Sequence, residues 1–452
     1  MGWKVPFTFE QGRDTLSNFG GLGIVGQILA GLPFGKCLQA SQVEGVEQPD
    51  ISHQDVATAM MGLIAMKMPT YEDIESVRDD EMFAMALGLE AVPSAPTLRQ
   101  RIDAAAASEA TSGWADAFNE SSDHLLKQHA QMTPIVIGNH EYIPFDMDVS
   151  PMDNSKTKKE GVSRTYKGCD GFAPNMVYLG QEGYGLAVEF REGKQHCQKG
   201  TPALLDACLT RARQIVGPDP RLVVRLDSGN DASANLDICK EHRQVAYMIK
   251  RNLRRESVVD WLALAKKEGT AYPLREGKIA YRGETTRIPK KGHDPERVVY
   301  EVIERTILAN GQRLCVPEIE VATYWCNVEA TPEEVLPTYP EHGTMEQFHS
   351  EYKTDRELER LPSGKFATNN LIMQMALLVF NVLRVMGQAT LNDPTVPLRT
   401  PQHRRRLATV TKHLVQCAVK LVRHGRTLAW RYSLNNPWGP AIARLYDLFA
   451  SP

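Results

Sequence analysis

Tyr339, His342, Glu346 and Lys353 lie in the stretch YPEHGTMEQFHSEYKTDRELERLPSGK, at steps of 3, 4 and 7 residues. At 3.6 residues per turn these steps place all four on one face of a single helix. Pro340 suits a first helical turn, and Pro362 with Gly364 ends the periodic run. A charged stripe of this kind can be an ordinary solvated surface, but two upstream aspartates give it another use. Asp148 ends the apolar run IPFDMD and Asp227 ends LVVRLD. An Asp at the C-terminal end of a strand stands at the mouth of an α/β sheet, where ligands collect. Asp148, Asp227 and Glu346 together could hold two divalent ions about 4 Å apart, one activating water or a DNA 3′-hydroxyl and the other stabilising the leaving oxygen of a phosphodiester. Mg²⁺ suits such oxygen donors and keeps waters on the ion.

Each residue has a plainer use. Asp146 lies on the same strand face as Asp148 at period 2 and could be the ligand instead. Asp148 is preferred because it ends the apolar run. Asp227 could serve only the Asp-Ser-Gly turn that follows it. Asp231 reads as a helix cap. Lys353 could grip a phosphate or pair with Asp355 or Glu357. Trp325 could stack a base, although a tryptophan in the run ATYWCNV reads better as strand packing.

The elements that must position these residues follow in chain order. From Ser52 the pattern is helical, through HQDVATAMMGLIAMKM and TYEDIESVRDDEMFAMALGLEA, the second opened by Thr70 and Asp73 as a cap. In PSAPTLRQRIDAAAASEA a cap at Ser94 or Thr97 and Pro96 in the first turn would project Arg99 and Arg101 from the start of a helix, as a recognition helix presents them to DNA. Around Thr133 the period changes to strands. PIVIG, EYIPFDMDVS, NMVYLG and YGLAVEFREG precede a helix TPALLDACLTRARQIVG, the strand RLVVRLDSG, a helix ASANLDICKEH and the strand QVAYMIKR. That order is the order of an RNase H-like α/β layer. Residues 252–319 read as a β-rich insertion with basic clusters at Arg254–Arg255, Lys266–Lys267 and Lys290–Lys291. After Asn369 an apolar helix, NNLIMQMALLVFNVLRVM, is expected to be buried, and RRRLATVTKHLVQCAVKLVRHGRTLAWRY to form a basic amphipathic helix. The proline-rich LNDPTVPLRTP connects them.

With 452 residues, the chain exceeds one ordinary core. Its 8 cysteines are scattered without a Cys-x-x-Cys pair, which gives no zinc knuckle or disulfide framework. The N-terminus lacks a charged-then-apolar leader, and no run of about 18 apolar residues is present; the expectation is a cytoplasmic protein. The net charge of −3 argues against a protein that coats nucleic acid indiscriminately. Charge is nonetheless segregated: from Glu351 onward there are 15 Lys or Arg against 6 Asp or Glu. Such a basic C-terminal third is compatible with a phosphate-binding surface.

These segments resemble a DDE transposase of bacterial insertion sequences, of the insertion-sequence-4-like group and closest to its insertion sequence 1380 family. The resemblance spans nearly the whole chain, through SHQDVATAMMGL, YEDIESVRDDEMFAMAL, VPSAPTLRQRID, FDMDVS, VVRLDSGN and LPSGKFATNN. Most specific is the signature Y-x2-R-x3-E-x6-K, met here by Tyr339, His342, Glu346 and Lys353 with every spacing kept. The departure is His342, where the family usually carries Arg; an imidazole lacks the permanently charged fork of a guanidinium. The resemblance implies that Asp148, Asp227 and Glu346 are the catalytic triad binding two Mg²⁺, replaceable by Mn²⁺, and that Tyr339 and Lys353 touch the transposon-end DNA, with His342 at the arginine position. It also implies double-stranded DNA partners, namely terminal inverted repeats and target, and a homodimer in the DNA complex. The expected organisation is a helical DNA-binding region (1–130), an RNase H-like core in two parts (131–251 and 320–390, the second with the catalytic Glu helix), a β-rich insertion (252–319) and a basic helical C-terminal region (391–452). Two other readings fit the same residues: a non-catalytic DNA-binding protein derived from a transposase, and an RNase H-like metal-dependent nuclease.

Overall fold

The computed structural model describes residues 8–47, 49–108, 113–398, 402–425 and 427–450. Part of the N-terminal stretch read for a leader, the end of the alanine-rich run at 109–110, and residues 399–401 of the proline-rich connection lie outside them.

Six helices come first: α1 (Leu22–Ala30), α2 (Phe34–Ala40), α3 (His53–Ala65), α4 (Glu81–Leu87), α5 (Ala95–Ala107) and α6 (Trp114–His129). Their starts are set by side-chain caps. Ser52 accepts from the Asp55 amide, Asp80 from that of Met82 and Ser94 from that of Thr97. Asp80 also breaks what the sequence suggests is one helix from Thr70. Thr70 and Asp73 bond at the entrance of a 3-10 turn, Glu72–Ser76, and the chain restarts as α4. The α1–α4 contact is close: a Cβ on Gly26 would lie 1.9 Å from the Ala86 carbonyl oxygen.

The middle of the chain builds a ten-stranded mixed sheet. Its strands include β1 (His140–Val149), β2 (Asn175–Leu179), β3 (Tyr184–Glu189), β4 (Arg221–Leu226), β5 (Val245–Lys250), β6 (Thr270–Arg275), β7 (Lys278–Arg287), β8 (Glu296–Ile307) and β9 (Arg313–Cys326). The spatial order is β6-β7-β8-β9-β5-β4-β1-β2-β3, and a short strand Ile135–Ile137 pairs with β1. β1, β4 and β5 run parallel; on one side β2 runs antiparallel between β1 and β3, which returns to the direction of β1, and on the other β9 lies antiparallel to β5. Helix α7 (Thr201–Val216) links β3 to β4, α8 (Ser233–Glu241) links β4 to β5, and α9 (Val258–Glu268) precedes β6. Alternating residues of the central strands go to opposite faces: Val224 packs with Leu205, Leu209 and Leu236, and Val223 with Tyr324 and Val335.

Past the sheet come α10 (Met345–Lys353) and α11 (Phe366–Ala389). Helix α11 is long and apolar enough to cross a membrane, but 94% of its apolar window is buried in the protein. It covers β3, the strand at one end of the sheet. From α11, Asn381 accepts from the Gly185 amide (2.8 Å) and donates to the Gly185 carbonyl (2.6 Å) and to Ser122 Oγ (2.7 Å), and Gln374 donates to the Val188 carbonyl (2.9 Å). These bonds satisfy backbone groups that a sheet edge leaves open. Replacing Asn381 by Leu strands a buried donor and acceptor at about 1–3 kcal/mol each; urea unfolding should report a loss of roughly 2–4 kcal/mol.

The C-terminal segment departs from the sequence reading. The stretch expected to be one basic helix forms two short helical turns, Leu407–Val410 and Thr411–Val415, and then a hairpin of β10 (Val419–His424) and β11 (Thr427–Tyr432), before the last helix α12 (Gly439–Ala450). Period-2 burial wins over helical spacing here: Val419 and Leu421 turn inward while Lys420 and Val422 stay half-buried, and Gly425 takes φ +58° at the turn. α1, α3, α5, α6, α11 and this segment share one apolar core.

Candidate active site

β1 and β4 are adjacent and parallel, with Tyr142 opposite Arg221 and Met147 opposite Leu226. The next step of the same register sets Asp148 beside Asp227, where both strands reach their C-terminal ends. Parallel pairing thus turns two acids distant in the chain into neighbours. Asp227 opens a 3-10 turn, Ser228–Asn230, and accepts from Asn230 Nδ2 (2.9 Å). Asp148 is half-buried and accepts from the Val149 amide (2.7 Å).

Asp146, two residues back, is used differently. It is buried, takes a two-pronged bond from Arg225 on β4 (2.8 and 2.7 Å) and another from His342 Nδ1 (3.0 Å). Burial alone would push its carboxyl up; the Arg225 guanidinium and His342 outweigh that and hold it below the usual carboxylate range. Asp146 therefore ties β1 to β4 and to the segment before α10, and Asp148 faces open space.

That space is a cavity of about 410 Å³. Asp148, Asp227 and Glu346 all line it, with Tyr166, Lys167, His342, His349 and Lys353. Helix α10 closes one side. Met345, Phe348 and Tyr352 bury its apolar face, Phe348 against the Tyr178 ring at 5.1 Å, and the neighbouring face turns Glu346, His349 and Lys353 to the cavity. Gly183, at φ +70°, makes room for Phe348, because a Cβ there would sit 2.4 Å from its ring.

The acids act on one another. Burial first, and then the charge of Asp227, push the Asp148 carboxyl up to about 7. Burial followed by the charges of Asp148, Asp227 and Glu346 pushes the Tyr166 phenol up. Burial, with Lys353, His342 and Lys167 adding to it, takes the His349 imidazole down to about 3 and keeps it neutral. Burial also lowers the Lys353 ammonium, which donates to the Pro151 carbonyl (2.7 Å). Among the described residues no group of three His, Cys, Asp or Glu side chains stands in a metal-holding arrangement. The donors are gathered at one cavity without a closed shell; their oxygen-rich chemistry suits Mg²⁺ or Mn²⁺.

Several expected positions read differently in the fold. The signature stretch is not one helix: Pro340 and Gly343 shape a 3-10 turn, Pro340–Thr344, before α10 begins at Met345. Tyr339 donates its hydroxyl to the Leu226 carbonyl (3.1 Å) and packs on Tyr324, so it braces the end of β4. His342 is buried and braces Asp146. Both side chains turn to protein partners, because the apolar and charged groups under them outbid solvent. Arg99 is exposed and pairs with Glu72, while Arg101 is tied to the Ile51 carbonyl (3.0 Å) and His53 (3.1 Å). Asp231 is no helix cap; it accepts from Trp325 Nε1 (2.7 Å) and the Asn252 amide (3.0 Å), and Ala232 precedes α8. Trp325 is buried under Arg251, as strand packing requires.

Three cavity residues escaped the sequence reading. Tyr166 and Lys167 sit on a tight turn, closed by a Gly168 amide bond to the Thr165 carbonyl, between two two- and three-residue strands, Ser163–Arg164 and Asp170–Phe172. Such short strands leave little periodic signal. His349 had one: it follows Glu346 by three residues, on the same helical face.

Residues 11–451 match the family described as transposase DDE domain group 1. A cryo-EM structure of a piggyBac transposase synaptic complex with hairpin DNA is similar at 10% identity and a TM-score of 0.40, over 88% of this chain and 78% of that one. No curated protein matches the sequence. A family match over nearly the full length, on a chain whose sheet brings two strand-end aspartates and a helix glutamate to one cavity, leaves one assignment: the chain belongs to the DDE transposase domain family.

Proposed function

We propose that this protein is the transposase of a bacterial insertion sequence of the insertion-sequence-4-like group, 1380 family. It binds the terminal inverted repeats as a dimer in the cytoplasm, cleaves the ends and joins the freed 3′-hydroxyls to target DNA. The observation that carries this reading is the cavity at which Asp148 and Asp227, on adjacent parallel strand ends, meet Glu346 from α10. The order β3-β2-β1-β4-β5, with β2 alone antiparallel to the other four, supports an RNase H-like core. Residues 252–319, with α9, β6 to β8 and the start of β9, are then its insertion, and the helices before and after the core are the flanking regions.

Asp148, Asp227 and Glu346 would hold two Mg²⁺; when bound, such ions supply Lewis-acid stabilisation to the attacking hydroxyl and to the leaving oxygen. The protein's own part is placement. Arg225 and His342 fix β1 through Asp146, Tyr339 fixes the end of β4, and Phe348 seats α10 on the sheet. Lys167 and Lys353 line the cavity and offer cationic heads to a phosphodiester backbone, Lys353 with two donors beyond the Pro151 bond. Arg99 presents an exposed guanidinium on α5 for end DNA; Arg101 reaches it only by leaving Ile51 and His53.

The test uses DNA carrying the element's own ends, found as short inverted repeats flanking the reading frame, with Mg²⁺ and a target duplex. Joined products are expected. Cut ends without joining would reduce the protein to a nuclease, and end binding untouched by loss of all three acids, with no cutting, would leave a DNA-binding remnant.

A pH dependence follows. Below about pH 7 Asp148 carries a proton that an incoming ion must displace, so affinity for Mg²⁺ or Mn²⁺ should rise as pH rises through 7 and fall about tenfold per unit below it. Calorimetry in two buffers of different ionisation enthalpy should show close to one proton released per binding event near pH 6; binding independent of pH would contradict the assignment of Asp148.

A further inference from the structure

One donor in the cleft has no partner. His349 is buried, and among the described residues its Nε2 makes no hydrogen bond, although buried polar atoms are almost always paired. That nitrogen lies 4.0 Å from Asp148 Oδ2, too far for a bond between them. The other ring nitrogen is engaged: Nδ1 is 3.3 Å from Tyr178 Oη and 3.2 Å from Met176 Sδ. With Nδ1–H donating to Tyr178, Nε2 carries a lone pair on the side of the ring near Asp148, the arrangement of a metal-binding histidine whose second nitrogen is held from behind.

Two further observations point the same way. Glu346 and His349 stand three residues apart on α10 and both line the cavity. Glu-x-x-His is the spacing by which one helix offers a carboxylate and an imidazole to the same centre. Two donors each about 2.1 Å from one ion lie roughly 3 to 4.2 Å apart, so the 4.0 Å between His349 and Asp148 spans a single ion.

We propose that His349 Nε2 is a nitrogen ligand, beside Asp148, to one of the divalent ions of the cleft. The inference rests on the metal reading above and adds a ligand to it. An imidazole in the donor set favours Mn²⁺ or Co²⁺ over Mg²⁺ and Ca²⁺, which prefer oxygen alone.

The test is pulsed electron paramagnetic resonance of the full-length protein loaded with Mn²⁺, without DNA. A directly bonded ¹⁴N coupling is expected in the wild type. His349→Gln should abolish it and weaken Mn²⁺ binding at least tenfold, by more than it weakens Mg²⁺ binding. His342→Gln is the control, because His342 is the other imidazole at the cavity and its Nδ1 is bonded to Asp146; the coupling should survive there. Mn²⁺ that Asp148→Asn displaces, yet shows no nitrogen coupling, would overturn the ligand role and leave the metal reading standing. Mn²⁺ binding indifferent to Asp148→Asn would remove both. Should His349→Gln not fold, survival of the coupling in His342→Gln would still support the proposal, and a wild-type spectrum without a bonded nitrogen would overturn it.

Discussion

Asp227→Ala is expected to reduce end cleavage in Mg²⁺ by about 10³-fold or more, because removing a ligand forfeits several kcal/mol of charge stabilisation at the phosphodiester. The fold should hardly notice. Asp227 is half-buried at a strand end, and its one side-chain bond is from Asn230, so urea unfolding should shift by no more than about 1 kcal/mol. A second readout separates a ligand from a turn residue. Asp148 is raised first by burial and next by the charge of Asp227, so in Asp227→Ala its carboxyl should titrate below the wild-type value of about 7 while staying above the ordinary range. Single-turnover cleavage of end DNA gives the rate, and carboxyl NMR gives the titration. Cleavage at the wild-type rate would sink the assignment of the cleft as the active site.

Much of this site was legible in the sequence because parallel pairing is simple. Two apolar runs ending in Asp mark both strands in the sequence; their alignment comes from the register, in which Asp148 and Asp227 keep the interval that relates Tyr142 to Arg221 and Met147 to Leu226. The choice between Asp146 and Asp148 was not legible. Both lie on one strand face, and only the arrival of Arg225 and His342 decides which is enclosed. The single helix expected from Tyr339 to Lys353 fails for a related reason: spacing fixes a shared face but not what that face meets, and Pro340 with Gly343 makes the first part of the stretch a 3-10 turn. Past Leu407, the alternation of VKLVRHGRTLAWRY competes with a helical period in the same residues. The core formed by α1 and α12 favours the hairpin, which burial of Val419 and Leu421 then rewards.

The bond that encloses Asp146 should matter as much as the acids that face the cavity. Asp146→Asn leaves the Arg225 guanidinium, 4% exposed, with only the exposed Glu341 carboxylate at 3.7 Å as counter-charge, so the loss should approach the roughly 3–5 kcal/mol of a broken buried pair. Because the wild-type carboxyl is held below its usual value near 3.8, its contribution is fully present above that pH and is lost as pH falls through the lowered value. Wild-type stability should therefore decline in acid below about pH 4, and the curve of Asp146→Asn should be flatter there. Cleavage should fall too, although Asp146 faces no substrate, because the register that sets Asp148 beside Asp227 is fastened by this pair and by His342 on the same carboxylate. A paired replacement distinguishes charge from shape. Asp146→Leu with Arg225→Met exchanges two compensated charges for apolar volume and should unfold in urea at higher denaturant than either single variant. If the double variant is as weak as the worse single one, the pair acts through its hydrogen bonds to Thr338 and His342, not through charge compensation across the strands. If it is stable but cleaves poorly, the register is held and His342, deprived of its partner, is what misplaces the entrance to α10.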